Sequence, residues 1–256
     1  PTAVSAITSE HVGAFIEDQL ARRSPATAKV RFASLRVFFN WLAAEGEIPA
    51  SPMVRMRAPK QPERIMDIPS DDDIKRLLVS MRGDAFVDLR DLAIIRTYLS
   101  TGARLSEVAA LHWTADPATN DVDLDGRMVR LVGKGDRERV SYLDAKAVKA
   151  LDRYVRRGRR GHPDADSEWL WLGKKGRLTY SGISQMIRDR AAKLGFKLHP
   201  HQLRHWRADK YKASGMADGH SMALMGWRDP GMVRRYGKQN EAQRALEAAR
   251  RLPDDL

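Results

Sequence analysis

The sequence predicts a mostly α-helical fold with a small antiparallel β-sheet, an α+β chain divided into two domains. Apolar residues recur at three- and four-residue spacing along most of the 256 residues, as in amphipathic helices. Between residues 121 and 143 this period gives way to short strand-like runs separated by turn sequences. Three prolines between Met56 and Pro69 disfavour helix and indicate an extended linker. We therefore predict a helical domain over residues 1–60, a linker over 61–69 and a mixed domain over 70–256 with a helical tail.

Composition excludes several classes of protein. With 43% hydrophobic and 30% charged residues, the chain has enough apolar material for a packed core. No apolar run approaches the roughly 18 residues of a membrane helix, and the first residues lack the layout of a signal peptide. The absence of cysteine excludes disulfide scaffolds, cysteine zinc sites, iron–sulfur clusters and thiol nucleophiles. We expect a soluble, cytoplasmic protein with no membrane partner.

The charge balance leaves two interpretations open. The chain has 45 Lys and Arg against 33 Asp and Glu, a net charge of +12. Residues 1–69 carry nine basic and seven acidic residues, so most of the excess lies after residue 69. Basic side chains that neutralise phosphates release condensed counterions, which favours a polyanionic partner. A merely soluble basic protein is the alternative.

The first domain is predicted to consist of helices. Val12, Phe15, Ile16 and Leu20 recur at helical spacing, and Ser24-Pro25 is typical of a helix start. The second helix ends at Gly46, and its apolar residues are Val30, Leu35, Val37, Phe38, Trp41 and Leu42. Basic residues of this region are candidates to contact a DNA backbone, and a solvated helix face is the alternative. These candidates are Arg22, Arg23, Lys29, Arg31 and Arg36.

The second domain begins with Ser70, a helix cap followed by three aspartates. Helical patterns follow over residues 85–100 and 104–112. Three strands are predicted next, over Asp121–Leu124, Arg127–Val132 and Arg137–Leu143, because turn sequences separate them. Helical spacing returns over residues 145–157, 180–194, 201–214 and 240–252.

A histidine- and arginine-rich segment, Leu198–Arg207, is the first candidate site. If Pro200 begins a helix, His201 and Arg204 lie on one face beside exposed backbone amides, which suits a phosphate. A metal site formed by three histidines and a structural cluster are the alternatives; those histidines are His199, His201 and His205.

Three weaker candidates lie elsewhere in the second domain. Arg104 follows Gly102 at a break between two helical runs, and Lys134 lies between two glycines at a predicted hairpin tip. Tyr236 ends a short helix that follows a predicted turn over residues 229–231. Each has an ordinary structural explanation when it is taken alone.

Taken in order, these residues resemble the active-site set of the tyrosine recombinase (phage integrase) family. TGARLSEVAALHW resembles its first arginine box, LVGKGDRERVSYL its lysine-bearing hairpin and HPHQLRH its His-x-x-Arg box. LMGWRDPGMVRRYGK is similar to its final box, which ends at the tyrosine. Upstream, residues 24–60 are similar to its helical core-binding domain. The resemblance covers roughly residues 7–237, and it implies a core-binding domain without its first helix and without a preceding arm-site domain.

The resemblance implies cleavage and rejoining of DNA strands with neither a metal nor a cofactor. Arg104 and Arg204 would bind the non-bridging phosphate oxygens, since a guanidinium is a permanent cation with a planar donor fork. Tyr236 would attack the phosphorus, and Lys134 would protonate the leaving 5′-oxygen. His201 would act as an acid or base near the tyrosine.

Two further side chains complete the implied site. Trp227 stands where most members have histidine; its indole N–H can donate to a phosphate oxygen but cannot titrate. Glu107, three residues after Arg104, would orient an arginine.

The resemblance also implies partners. These are double-stranded DNA sites clamped between the two domains, a homodimer or homotetramer on DNA, and accessory DNA-bending proteins. Arg153, Arg156 and Arg157, with Arg159 and Arg160, form a dense basic run that would contact flanking phosphates or remain solvated. Three rival functions stay open: a type IB topoisomerase, a catalytically silent DNA-binding module and a metal-dependent nuclease.

Overall fold

The computed structural model describes residues 3–61, 68–133, 135–237 and 249–250, with the backbone alone for residues 234–237. The chain divides into two compact units, Pro1–Arg64 and Ile65–Leu256. This division falls within the segment predicted as a linker, while the domain bounds themselves remain a prediction. Among the helices of the described residues, none is long and apolar enough to cross a membrane.

The described part of the smaller unit contains a 3₁₀ turn (Val4–Ala6), two α-helices packed on each other and an irregular segment that follows them. Helix α1 (Ser9–Arg22) begins after Thr8, and helix α2 (Pro25–Ala44) begins after Ser24. The Ser24 hydroxyl accepts a hydrogen bond from the Thr27 amide at 3.3 Å, and Pro25 lacks the amide that this first turn would leave unpaired. Their shared core consists of Val12, Ile16, Phe32, Phe39, Leu42, Ile48 and Met53.

The larger unit is built around helix α4 (Phe86–Thr101), which is buried along most of its length. Helix α3 (Asp71–Val79) begins after Ser70, as predicted, and the Ser70 hydroxyl accepts from the amide of Asp73 at 3.0 Å. Helix α5 (Leu105–Ala109) is shorter than the helix predicted over residues 104–112.

A three-stranded antiparallel sheet follows in chain order: β1 (Val122–Asp123), β2 (Met128–Gly133) and β3 (Arg137–Tyr142). Val129 lies opposite Ser141 and Gly133 opposite Arg137, so a short connection joins β2 to β3. This confirms the predicted sheet.

Helix α6 (Ala145–Arg153) continues into a π-helical turn (Tyr154–Gly158) and a 3₁₀ turn (Arg159–Gly161). A second antiparallel pair, β4 (Leu172–Gly173) and β5 (Gly176–Arg177), was not predicted from the sequence. Both small sheets, among described residues that are mostly helical, agree with the predicted α+β class.

The last described helices are α7 (Tyr180–Ala192), α8 (Pro200–Ala213), α9 (Asp218–Met225) and α10 (Pro230–Gly237). Helix α9 was not predicted. The turn predicted over residues 229–231 forms the start of α10: Pro230 begins the helix, the Asp229 Oδ1 accepts from the Gly231 amide at 2.8 Å, and the Asp229 carbonyl accepts from the Met232 amide at 2.9 Å. The tail helix predicted over 240–252 lies outside the described residues, except for 249–250.

Candidate active site

Arg104 stands at the start of α5, just after a left-handed glycine. Gly102 has a φ of +61°, and a Cβ there would lie 2.6 Å from the Sδ of Met225, so this position requires glycine. The Arg104 amide donates to Glu107 Oε2 at 2.7 Å, and its Nη1 donates to Glu107 Oε1 at 2.9 Å. The Arg104 side chain is 45% exposed, so its guanidinium is held on one side and open to solvent on the other.

Glu107 is buried and accepts from two arginines. Arg139, on β3, donates from Nη1 and Nη2 to the two carboxylate oxygens, each at 2.7 Å. Burial alone would raise the pKa of Glu107, yet the donors from Arg139 and Arg104 outweigh it and lower the pKa to about 2. The carboxylate therefore stays ionised at neutral pH, and its two hydrogen bonds from Arg104 fix the position of that side chain.

Arg204, on α8, is buried apart from 6% of its surface. Its Nη1 donates to the carbonyl of Gly102 at 2.6 Å and its Nη2 to the carbonyl of Met225 at 2.5 Å. These bonds fix the plane of the guanidinium beside the segment that leads to Arg104.

Three arginines converge on the end of helix α9. The carbonyls of Leu224, Met225 and Gly226 follow one another in the chain. They accept from Arg139 Nε at 3.1 Å, Arg204 Nη2 at 2.5 Å and Arg104 Nη2 at 3.2 Å, respectively. The last carbonyls of a helix have no partner within it and carry the negative end of its dipole, so cations stabilise them. One helix end thus positions all three guanidinium groups.

Arg104, His201 and Arg204 line one open cavity of about 420 Å³. The other residues that line it are Ala103, Leu105, Ser106, Tyr180, Ser184, His199 and Pro200. Two cations and an imidazole around one opening form a site for an anion of phosphate size. The structure thus brings together three of the predicted site residues.

Two histidines of α8, His201 and His205, are biased toward their neutral forms. Burial, with the nearby His199, lowers the pKa of His201, and burial with His201 and Arg204 lowers the pKa of His205 to about 4. His201 stacks on His199 with ring centres 6.0 Å apart. A neutral His201 at the cavity wall can accept a proton.

Trp227 lies directly after the arginine-binding carbonyls. It is 7% exposed, and its ring centre is 5.6 Å from the Arg204 Cζ. It packs in a small second core beneath α8, α9 and α10, whose buried members are Ala208, Tyr211, Met225, Trp227 and Val233.

Two predicted residues cannot be placed by their side chains. Lys134 lies outside the described residues, between Gly133 at the end of β2 and Gly135. A Cβ on Gly133 would lie 3.4 Å from Glu107 Oε1, so the end of β2 closely approaches the site. Tyr236 belongs to α10, which packs against α8, but its side chain is not described.

The basic residues of the smaller unit divide into two groups. Arg22, Arg23 and Lys29 are exposed, and Arg22 forms an ion pair with Asp18 at 2.6 Å. Arg31, which is also exposed, donates to the Gln19 side chain, and the half-buried Arg36 donates to the Met56 carbonyl. The latter two therefore stabilise the fold of this unit.

The basic run after α6 is also mixed. Arg156 and Arg157 are 78% and 69% exposed at their side chains, and Arg153 and Arg157 both pair with Asp84. Arg159 does not belong to the exposed surface: it is buried, and it donates to the carbonyls of Ala165, Ser167 and Trp169.

Some lining residues were missed by sequence reasoning. Ser106, on α5, and Tyr180 and Ser184, on α7, also line the cavity, and Arg139 binds the carboxylate of Glu107 that holds Arg104. Ser106 lies within the first arginine box and could have been found there. Among the described residues, no group of three His, Asp or Glu side chains is arranged to hold a metal ion.

Comparisons with known proteins agree with this geometry. The model described as "Phage integrase family" matches residues 68–243. Tyrosine recombinase XerC of Xanthomonas axonopodis pv. citri (strain 306) is 32% identical over 209 residues, which are 80% of this chain and 65% of that protein. The chain thus spans just under two thirds of this curated relative, and 54% of another.

Solved structures show the same fold. A XerH site-specific recombinase bound to palindromic difH substrate, a post-cleavage complex, has a TM-score of 0.79 at 19% identity, covering 96% of this chain and 73% of that one. A lambda integrase (75-356) dimer bound to a COC′ core site has a TM-score of 0.73 at 17% identity, covering 93% and 83%. These likenesses confirm the predicted fold class. With the family model matching more than half of its length, the chain belongs to the phage integrase family of tyrosine recombinases.

Proposed function

We propose that this chain performs site-specific DNA recombination of the integration or excision type, by cleaving and rejoining strands through a 3′-phosphotyrosine intermediate, without a metal. The observation that carries the proposal is the open cavity lined by Arg104, His201 and Arg204; the helix that bears Tyr236 packs against α8, which carries two of these residues. A phosphodiester is a poor electrophile because its charge repels nucleophiles. Two fixed guanidinium groups would offset the charge that develops on the non-bridging oxygens.

In the proposed reaction, the Tyr236 hydroxyl oxygen attacks the phosphorus and the bond to the 5′-oxygen breaks. The tyrosine proton passes to His201, whose lowered pKa leaves it neutral and able to accept. Lys134 gives a proton to the departing 5′-oxygen. The phosphotyrosine keeps the energy of the broken bond, so a free 5′-hydroxyl can reverse the step and rejoin a strand. The Trp227 indole would support the phosphate contacts.

The proposed partners are double-stranded DNA recombination sites, bound by a dimer or tetramer with accessory DNA-bending proteins. The domains proposed to clamp the duplex span residues 1–60 and 70–256, joined by residues 61–69. In support, the XerH and lambda integrase complexes both contain DNA, and the latter is a dimer. A DNA substrate and bacterial relatives favour a cytoplasmic location.

The experiment first finds the DNA site and then tests the nucleophile. Purified protein is incubated with genomic fragments of its own organism. The protein is then denatured, and the DNA that stays covalently attached to it is sequenced. A nicked duplex carrying the mapped site then loses its short 5′-hydroxyl fragment after cleavage, which traps the adduct. We expect the parent and Tyr180→Phe to form this adduct and Tyr236→Phe to form none.

Each other outcome has a definite meaning. An adduct with Tyr236→Phe but not with Tyr180→Phe would show that the nucleophile is Tyr180, the tyrosine that lines the cavity. Relaxation of a supercoiled plasmid that lacks the site would contradict site-specific action. Binding without any adduct would contradict catalysis.

DNA-backbone contacts are proposed for the exposed basic residues and tested separately. These are Arg22, Arg23, Lys29, Arg156 and Arg157; Arg31, Arg36 and the half-buried Arg153, whose guanidinium groups bind protein acceptors, would contribute less. Replacing Arg156 or Arg157 by Gln should weaken binding to all sequences and lower the slope of log affinity against log salt by about 1.

A further inference from the structure

Arg139 lies outside the predicted reacting set, yet its guanidinium joins three elements of the site. Its Nε donates to the carbonyl of Leu224 on α9, and its two Nη atoms donate to the carboxylate of Glu107 on α5. Arg139 itself belongs to β3, the strand that follows the lysine-bearing connection. Its side chain is 13% exposed, so all of these bonds are largely shielded from water.

Both oxygens of Glu107 are shared between Arg139 and Arg104. Oε1 accepts from Arg139 Nη1 at 2.7 Å and from Arg104 Nη1 at 2.9 Å; Oε2 accepts from Arg139 Nη2 and from the Arg104 amide, each at 2.7 Å. Arg139 thus fixes the carboxylate of Glu107, and the carboxylate in turn fixes Arg104. The planar fork of arginine donates one parallel hydrogen bond to each oxygen, whereas the lysine ammonium is a point charge and would reproduce this contact only in part.

Close packing keeps Arg139 away from the cavity. A Cβ on Gly226 would lie 3.1 Å from Arg139 Nη1, and Arg139 does not line the cavity that contains Arg104 and Arg204. Arg139 can therefore affect a bound phosphate only through the groups that it orients.

We propose that Arg139 is a positioning residue for strand cleavage: through the carboxylate of Glu107 it fixes the guanidinium of Arg104 against the reacting phosphate. The inference rests on the proposed function. It predicts that loss of Arg139 slows the chemical step while DNA binding is preserved, because the side chain orients a phosphate ligand without reaching the DNA. Loss of a comparable outer contact at other sites costs about 10- to 100-fold in activity.

The test compares Arg139→Gln and Arg139→Lys with the parent on the nicked duplex. Arg130→Gln is the matched control, since Arg130 lies on the neighbouring strand β2 and also pairs with a buried carboxylate, that of Asp121, away from the cavity. Single-turnover adduct formation gives the cleavage rate, and fluorescence anisotropy gives the DNA dissociation constant. We expect Arg139→Gln to cleave about 10- to 100-fold more slowly with a dissociation constant within about twofold of the parent. Arg139→Lys should recover part of the rate, and Arg130→Gln should match the parent.

A cleavage rate for Arg139→Gln within twofold of the parent would overturn the inference and leave the proposed function intact. A parental rate for Arg139→Lys would also overturn it, because charge without the fork would then suffice. Retained DNA affinity in each variant shows that the protein has folded.

A second readout does not need activity. The ionisable groups that the structure places against Glu107 are Arg104, Arg139 and the Tyr98 hydroxyl on α4. In protein labelled with ¹³C at glutamate, the Glu107 carboxyl signal should titrate at higher pH in Arg139→Gln than in the parent. If the parent forms no adduct, the proposed function fails; an unchanged Glu107 titration in Arg139→Gln would then overturn the positioning role as well.

Discussion

Replacing Glu107 by Gln tests the buried arginine–carboxylate cluster through stability. The variant keeps the shape of the side chain and removes its charge, leaving Arg139 largely buried without an anionic partner. Arg139 and Arg104 lower the pKa of Glu107 from 4.5 to about 2 against the opposing effect of burial. One pKa unit corresponds to about 1.4 kcal/mol, so the ionised carboxylate contributes about 3 kcal/mol to the free energy of unfolding at pH 7.

The sign of the pH dependence follows from the lowered pKa. The unfolded chain takes up a proton at Glu107 near pH 4.5, whereas the folded protein does so only near pH 2. The contribution of this group is therefore complete above pH 4.5 and is lost as the pH falls toward 2. We expect the variant to be about 3 kcal/mol less stable than the parent from pH 7 to pH 5, and the difference to shrink to about half at pH 3.

Urea unfolding followed by tryptophan fluorescence measures this difference, since five of the six tryptophans lie in the larger unit; the exception is Trp41. Glu138→Gln is the control, because Glu138 precedes Arg139 on strand β3, is 57% exposed and pairs with Arg130 at 3.5 Å. An exposed pair of this kind contributes less than about 1 kcal/mol. A loss below about 1 kcal/mol in Glu107→Gln, or a difference that does not shrink at pH 3, would refute the reasoning.

Three further predictions concern positions around the site. Gly226→Ala should lose about 1–2 kcal/mol in urea unfolding, because φ is +62° and the new Cβ would lie 3.1 Å from Arg139; parental stability would contradict this. Burial, His201 and Arg204 lower the pKa of His205 to about 4, so only the unfolded chain gains a proton between pH 6.5 and 4. Stability should fall by about 3 kcal/mol over that range, and less steeply in His205→Gln, when unfolding is measured at each pH. Arg159→Ala should lower the free energy of unfolding by about 3 kcal/mol, because three carbonyls lose their donor. The salt dependence of its DNA binding, measured by anisotropy, should stay parental.

Helix α2 shows what a hydrophobic pattern can and cannot predict. Its position and its start at Ser24-Pro25 followed from capping chemistry, which acts locally. Its buried face did not, because apolar residues surround the helix: Val37 is 71% exposed and Trp41 53%, while Phe32 and Phe39 form the core. A pattern that is apolar on every side predicts a helix but does not select the face that packs.

Strand β3 explains why Arg139 was missed. Alternation normally places apolar side chains inward, yet Val140 and Tyr142 are 58% and 48% exposed whereas Ser141 is buried. Arg139 lies on the inward face with Ser141 because Glu107, distant in sequence, supplies a buried anion. Arg104 was found because the resemblance assigns it a role within its motif. Arg139 also lies within a quoted motif, the lysine-bearing hairpin, but its role depends on a tertiary contact with Glu107 that the segment by itself does not contain.

The C-terminal end of helix α9 is also stabilised by residues that are distant in the sequence. Its last carbonyls have no partner within the helix, and Arg104, Arg139 and Arg204 reach them from α5, β3 and α8. Trp227 follows at once, and α10, which bears Tyr236, begins only four residues after Gly226. The end of α9 therefore binds the arginines that are proposed to hold the phosphate, and it also precedes the helix that carries the proposed nucleophile. Because the three arginines bind this helix end and the chain runs from it into α10 within four residues, we expect a change at the α9 terminus to disturb both the phosphate ligands and the helix that carries Tyr236.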